Sequence, residues 1–230
     1  MDNPVVDNLI YCGTITQVVG FQASPVVTAL ADAVAHGKPF LDLPTTQREV
    51  IYLDRKNPHF AVEYTFNDVL SIQRCDAFHY LDMRTCQGAV PDPWSDVIVN
   101  YIKRTTPKPL LIVDAYSFNF EGNINDSEDT HKNFERYGEL ISIGTPIIIL
   151  HIQTEGSNDL AGKGSKDQKF YIDAGYGLLN EGGAVELTSL KLELFARRIQ
   201  VMKELTFKYD DGVFVRTYPQ GQNNNRKRSK

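Results

Sequence analysis

Asp114 is the residue whose surroundings in the sequence most clearly suggest chemistry. It ends the apolar run 110–113, Leu-Leu-Ile-Val, which predicts a buried strand with a carboxylate at its C-terminal edge. A carboxylate in that place is a usual magnesium ligand beside bound phosphate groups. The structural alternative is an acid that caps a neighbouring helix or pairs with Lys56. Asp114 is therefore the candidate metal ligand and a vestigial catalytic candidate.

A phosphate-binding loop would be expected upstream of Asp114, between a strand and a helix, with the pattern G-x-x-x-x-G-K-[ST]. Residues 20–28 stand in that place and read Gly-Phe-Gln-Ala-Ser-Pro-Val-Val-Thr. The segment has neither a second glycine nor a lysine, and Pro25 has no N–H to offer a phosphate. The candidate cofactor-binding residues are therefore those of a degenerate site: Gly20, Ser24, Asp54 and Asp114.

The composition is that of one globular domain of the α/β class. The chain has 230 residues, of which 42% are hydrophobic and 23% charged, and its net charge is −5. This charge argues against a broadly basic nucleic-acid surface. No apolar run approaches the roughly 20 residues that span a bilayer, and the first residues lack the basic region of a secretory signal. The scattered cysteines, Cys12, Cys75 and Cys86, favour reduced thiols in a cytoplasm over disulfides or zinc.

Apolar runs alternate with helical patterns along the chain. Strands are predicted at 14–19, 50–54, 78–83, 110–114 and 147–152. Helices are predicted at 25–36, 61–72, 94–104 and from 127 to about 143, the last with Asp126 or Ser127 as its N-cap. Residues 153–168 are expected to form a mobile loop, and 185–195 and 204–216 an antiparallel meander with a hairpin turn at 210–212.

This order predicts a parallel sheet extended at one side by antiparallel strands. Residues 1–218 are expected to form a single domain, and residues 219–230 a disordered tail. The tail carries the basic residues Arg226, Lys227, Arg228 and Lys230. Two roles are open for this tail: a solubilising terminus, or a flexible arm that binds nucleic acid through phosphates.

The order of the motifs resembles that of the RecA-fold ATPases of the hexameric plasmid-replication helicase group, the RepA-like proteins. The resemblance spans about residues 9–216. Residues 50–58 read V-I-Y-L-D-R-K-N-P where the family usually has Y-L-D-x-E-N-P. Asp114 matches the acid of the Walker B strand, and residues 149–151 match the start of the sensor strand. Further similar segments are the helix and turn 30–41, the acidic loop 121–126, the loop 163–167 and the motif F-A-R-R-I at 195–199.

The resemblance implies a RecA-like three-layer fold: a mainly parallel twisted sheet with helices on both faces and an antiparallel C-terminal extension. It places Asp114 and His151 on adjacent strand ends, with His151 as a ligand sensor, and Arg198 where the family's arginine reaches a neighbouring subunit in a ring. It also places Lys163 and Lys166 in a loop facing nucleic acid. For each of these residues an ordinary structural or solvated role is the alternative.

Four chemical positions depart from the family pattern. The phosphate-loop lysine is missing, Lys56 replaces the glutamate that activates water, Ile152 replaces the second sensor histidine, and Glu155 stands near a loop lysine. Lys56 reverses the charge of a general base. The resemblance with these departures predicts a pseudo-ATPase that has lost hydrolysis.

Three functions remain open from the sequence. The first is a non-hydrolysing, RecA-like homo-oligomeric scaffold or binding module, associated with nucleic acid or with a replication partner protein, without a membrane and with no cofactor expected. The second is an ATP-binding NTPase or DNA helicase-type motor that uses ATP and magnesium, with a lysine supplied by Lys56 or a neighbour's Lys163. The third is an enzyme of unrelated chemistry, for which the sequence offers no nucleophile–base pair.

Overall fold

The computed structural model describes residues 3–20, 23–73, 75–151, 166–180 and 189–218. Its helices are α1 (Ala23–His36), α2 (His59–Tyr64), α3 (Asp96–Arg104), α4 (Ser127–Glu135) and α5 (Gly138–Ser142). Its strands are β1 (Pro4–Val6), β2 (Ile10–Tyr11), β3 (Ile15–Val19), β4 (Val50–Asp54), β5 (Phe78–Leu81), β6 (Leu110–Asp114), β7 (Ile147–His151), β8 (Ala174–Asn180), β9 (Leu190–Arg197), β10 (Glu204–Asp210) and β11 (Val213–Arg216).

One nine-stranded sheet organises the chain, in the order β11-β10-β9-β8-β3-β7-β6-β4-β5. The strands from β8 to β5 in this order run parallel to one another, and β9, β10 and β11 extend the sheet antiparallel. The predicted parallel sheet with an antiparallel extension at one side is therefore confirmed. β1 and β2 form a separate hairpin.

The sheet is covered on both faces. The strands β3, β4, β6 and β7 are buried along their whole length, as expected of parallel strands between two helical layers. On one face, α1 packs through Val27, Leu30 and Val34 against alternate residues of these strands. On the other face, α3, α4 and α5 contribute a second core that includes Ile102 and Phe134.

Local sequence accounts for the ends of several elements. α1 ends at His36 and is followed by Gly37, whose φ of 65° is costly for any residue with a Cβ. Asp126 caps α4, since its side chain accepts hydrogen bonds from the N–H groups of Glu128 and Asp129, which confirms the predicted N-cap. The hairpin between β10 and β11 turns at Asp211 and Gly212, both with positive φ, as the Asp-Gly pattern predicts.

Some local predictions were wrong. The predicted helix 61–72 is the short α2 followed by a π-helical segment, Thr65–Val69. The helix predicted to run to about residue 143 is divided into α4 and α5.

β8 was missed because Ala-Gly-Tyr-Gly is a poor strand sequence. Its Gly175 is required by packing, since a Cβ there would lie 2.6 Å from Cζ of Phe195. The predicted loop 153–168 lies outside the described residues except at 166–168, which begin a 3₁₀ segment, Lys166–Phe170. The predicted tail, 219–230, also lies outside the described residues.

Candidate functional site

The candidate site is a pair of acids at the carboxyl edge of the parallel strands. Asp54 ends β4 and Asp114 ends β6, and the two residues are direct partners in the parallel register. Both are fully buried, at 0% exposure. Burying a carboxylate is costly unless it is hydrogen-bonded or neutralised, so the surroundings of this pair decide what the site can do.

Both carboxylate oxygens of Asp54 accept hydrogen bonds from nearby residues. Its Oδ1 accepts hydrogen bonds from the backbone N–H groups of Lys56 and Asn57, each at 2.9 Å. Its Oδ2 accepts from Nδ2 of Asn57, at 2.9 Å, and from the hydroxyl of Tyr80. These bonds close the turn that follows β4 and hold the carboxylate in one orientation. The prediction that Asp54 contacts a cofactor gains no direct support from this geometry.

Asp114 is less completely satisfied. Its Oδ2 accepts hydrogen bonds from the hydroxyl of Tyr52, at 2.9 Å, and from Nδ2 of Asn57, at 3.3 Å. Its Oδ1 is buried and has no partner with hydrogen-bond geometry among the described residues. Asn57 therefore bridges the two acids with one amide group.

Burial and the charge of Asp54 raise the pKa of Asp114 to about 6. The charge of Lys56 and the hydroxyls of Ser24 and Tyr52 act in the opposite direction. Burial and the neighbouring carboxylates also raise the pKa of Tyr52 and Tyr80 well above the usual value, so both phenols remain protonated donors. Their rings stack with centroids 4.6 Å apart.

Lys56 brings a positive charge to the start of α1. Its Nζ donates a hydrogen bond to Oγ of Ser24, over 3.3 Å, and Ser24 is the second residue of that helix. The alternative in which Asp114 pairs with Lys56 is therefore only partly confirmed. The ammonium group of Lys56 bonds to Ser24 and acts on Asp114 through its charge. Lys56, which the resemblance places at the position of a glutamate, thus contacts the first turn of α1.

The packing of the sheet explains why residue 20 is a glycine. Its N–H donates to the carbonyl of His151 over 3.2 Å, and a Cβ on Gly20 would lie 2.8 Å from Cβ of Leu178 and 3.1 Å from its carbonyl oxygen. Glycine is required there because β8 passes so close. The presence of Gly20 is therefore no evidence for phosphate binding.

His151 ends β7, which lies between β3 and β6, and is 2% exposed. The predicted adjacency of the strand ends carrying Asp114 and His151 is confirmed by the pairing of β6 with β7. The imidazole ring lies 5.4 Å from the ring of Tyr116, between centroids. His151 therefore belongs to the same edge of the sheet as the acid pair.

Arg198 is not part of this site. Its N–H bonds to the carbonyl of Asp173, which directly precedes β8, and its Nη1 donates to the carbonyl of Phe170 over 3.2 Å. These contacts place Arg198 at the amino edge of the parallel strands, opposite to Asp114. Lys166 begins a 3₁₀ segment, Lys166–Phe170. Lys163 and the tail residues Arg226, Lys227, Arg228 and Lys230 lie outside the described residues.

Sequence reasoning missed Tyr52, Tyr80 and Asn57. A signal for Tyr52 was present, since side chains alternate along a strand and residue 52 lies on the same face as residue 54. Tyr80 is opposite Tyr52 in the register of β4 and β5, which the sequence does not reveal. Asn57 was visible only as part of the resemblance.

The magnesium site that the resemblance implies does not fit these residues. Among the described residues, no group of three histidine, cysteine, aspartate or glutamate side chains is placed to hold a metal ion. Oδ1 of Asp114 has no partner with hydrogen-bond geometry among the described residues. The hydroxyl of Ser24, which the resemblance places next to the phosphates, accepts from the ammonium group of Lys56. A divalent cation would have to lie close to this ammonium.

No protein-family profile matches the sequence, and a search of curated proteins finds no match either. The sheet defines the class of the protein, which is an α/β protein with a large, mostly parallel sheet. None of the helices in the described part of the chain is long and apolar enough to cross a membrane.

Proposed function

We propose that the chain is a RecA-like protein with a degenerate nucleotide site, which acts as a non-hydrolysing homo-oligomeric scaffold or nucleic-acid-associated binding module. The sheet supports this proposal. β7, which carries the sensor-like His151, lies directly beside β6, which carries Asp114. Helices on both faces and the antiparallel extension β9–β11 agree with the three-layer arrangement that the resemblance implies.

The observation that carries the loss of hydrolysis is the position of Lys56. The resemblance assigns position 56 to a glutamate that activates water, and a general base must accept a proton from that water. Here an ammonium group lies at that position, bonded to Ser24. It has no acceptor capacity. It also supplies positive charge beside Asp114 where a metal ion would be needed to stabilise the transferring phosphoryl group.

The same contact favours a second candidate, an NTP-binding protein of the helicase-motor type. Lys56 brings an ammonium group to the first turn of α1, and a helix N-terminus with a neighbouring lysine is a suitable place for a phosphate group. In this alternative Lys56 replaces the missing phosphate-loop lysine, and ATP with magnesium is the ligand.

Calorimetric titration of ATP and ADP, with and without magnesium, and a steady-state assay of ATP hydrolysis together separate the two candidates. The scaffold proposal expects no magnesium-dependent ATP hydrolysis. The loss of a positive group that stabilises the developing phosphoryl charge, here the phosphate-loop lysine, forfeits factors of about 10² to 10³ or more in rate. Turnover of about one per second that Asp114→Asn abolishes would overturn the scaffold proposal. The other informative result is ATP binding without turnover. If Lys56→Met abolishes this binding and Lys132→Met leaves it unchanged, ATP is supported as the ligand of the second candidate. Lys132 is an exposed lysine on α4, paired with Glu128.

The partners in this proposal are a second copy of the chain and nucleic acid or a replication protein. The basic tail residues supply the charge for nucleic acid, on a chain whose net charge is −5. The cysteines at 12, 75 and 86 are free thiols, which supports a reducing, cytoplasmic location.

A further inference from the structure

Lys56 and Asn57, which are consecutive in the chain, both act on the acid pair. The amide of Asn57 contacts an oxygen of each acid, at 2.9 and 3.3 Å. The ammonium group of Lys56 is anchored on Ser24, at 3.3 Å, and its charge acts on Asp114. Both residues belong to the turn that Asp54 itself closes by accepting their backbone N–H groups.

We propose that Lys56 is a built-in cation that takes the place of a divalent metal at the Asp54–Asp114 pair, so that the site is assembled without metal and excludes it. The inference rests on the proposed function only for the assignment of this pair as the site. It departs from the family pattern that the sequence resembles, in which a magnesium ion is expected at the Walker B acid.

The physical reason is charge balance in a buried place. Asp54 and Asp114 are both at 0% exposure, and a buried carboxylate is costly unless it accepts hydrogen bonds or has positive charge nearby. Lys56 provides the positive charge that acts on Asp114, and the neutral amide of Asn57 provides hydrogen bonds to both acids. The same ammonium, which is on a partly buried residue, repels a divalent cation placed beside Asp114.

Removal of the ammonium should therefore open a metal site. Asp114 retains a buried oxygen, Oδ1, without a hydrogen-bond partner among the described residues. Carboxylate and hydroxyl oxygens are the ligands that magnesium and manganese(II) prefer. In a Lys56→Met chain, Oδ1 of Asp114 and Oγ of Ser24 would both be available to such an ion, with Asp54 contributing charge.

The test is a titration of the full chain with manganese(II) alone, without nucleotide, followed by electron paramagnetic resonance. The chain with Lys56 should show no saturable site in the low-millimolar range, whereas Lys56→Met should bind at least about tenfold more tightly. Lys56→Arg keeps the charge and should behave as the unchanged chain. Lys132→Met removes a distant, exposed lysine ammonium and should also leave manganese binding unchanged.

The double variant Lys56→Met with Asp114→Asn should lose the gained site. Thermal melts keep the test decisive if Lys56→Met is unstable, because manganese should then raise its melting temperature but not that of the double variant. Tight binding by the unchanged chain, or no binding and no thermal shift with Lys56→Met, would overturn the inference. Since nucleotide is absent throughout, this outcome is separate from that of the hydrolysis assay.

Discussion

Asp54 and Asp114 are direct register partners on adjacent parallel strands, and the side-chain amide of Asn57 bonds to both carboxylates. The two acids differ in how well they are satisfied. Asp54 accepts hydrogen bonds at both oxygens, whereas Asp114 has a buried oxygen with no hydrogen-bond partner in the described part of the chain. Burial of Asp114 and the charge of Asp54 raise the pKa of Asp114 to about 6.

The first prediction concerns the pH dependence of stability. Burial and Asp54 raise the pKa of Asp114 from 3.8 to about 6. The folded state then holds this proton more tightly than the unfolded state, so the free energy of unfolding falls as pH rises from 3.8 through about 6. We expect this group to lower the free energy of unfolding by up to about 3 kcal/mol between these limits.

Urea denaturation at pH 4 and pH 8 measures the effect. Asp114→Asn should show a smaller loss of stability over this range than the unchanged chain, because Asn does not titrate. Asp68→Asn, at an exposed position, serves as the control and should follow the unchanged chain. An Asp114→Asn variant with the full pH dependence would contradict the assignment of the raised pKa to this residue.

The second prediction separates packing from phosphate binding at Gly20. A Cβ at this position would lie 2.8 Å from Cβ of Leu178 and 3.1 Å from its carbonyl oxygen, so β8 or β3 must shift. Overpacking of this kind costs about 1–3 kcal/mol, and we expect that loss for Gly20→Ala in denaturant unfolding, without any nucleotide.

Gly138→Ala is the matched control for this change. Gly138 begins α5, and a Cβ there would meet no atom within 4 Å. Because alanine favours the helix over glycine, this variant should be unchanged or stabler by up to about 1 kcal/mol. Equal stability of both variants would show that β8 does not approach Gly20 as closely as described.

The third prediction is self-association of the full chain, as the proposed scaffold requires. The chain has a mass of 25.9 kDa, and light scattering at high micromolar protein should report a multiple of it. The resemblance places Arg198 at a subunit boundary, so Arg198→Ala should weaken the assembly more than Arg197→Ala. Both arginines are exposed. A sharp mass of a single chain would count against the scaffold.

The fourth prediction concerns the basic tail. Arg226, Lys227, Arg228 and Lys230 supply four positive charges, and such an arm would bind nucleic acid through phosphates with little sequence preference. Affinity should then fall with salt, with a slope of at most about 3 to 4 in magnitude on logarithmic axes. Anisotropy titrations of the full chain and of a chain ending at Tyr218 measure it. Equal binding by both chains, or none by either at low salt, would remove the tail from the proposed function.

The sequence alone determined the elements that carry strong local signals. The parallel strands β3, β4, β6 and β7 are short, continuous apolar runs because both their faces are covered, and such runs are visible in one dimension. The N-cap at Asp126 and the hairpin turn at Asp211 and Gly212 depend on side-chain and backbone chemistry within a few residues. For the same reason Asp114 was recognised as the acid at a strand end.

The tertiary structure decided the features that depend on distant residues. β8 forms because Gly175 fits beneath Phe195 and Gly20 beside Leu178, although its own sequence is a poor strand. Tyr80 reaches Asp54 only because β5 pairs with β4.

The contact between Lys56 and Ser24 was decided in the same way. Lys56 meets Ser24 across 32 positions of the chain, and this contact follows from the packing of α1 on the sheet. Local pattern cannot specify it, because the energy of the contact depends on where the two elements meet.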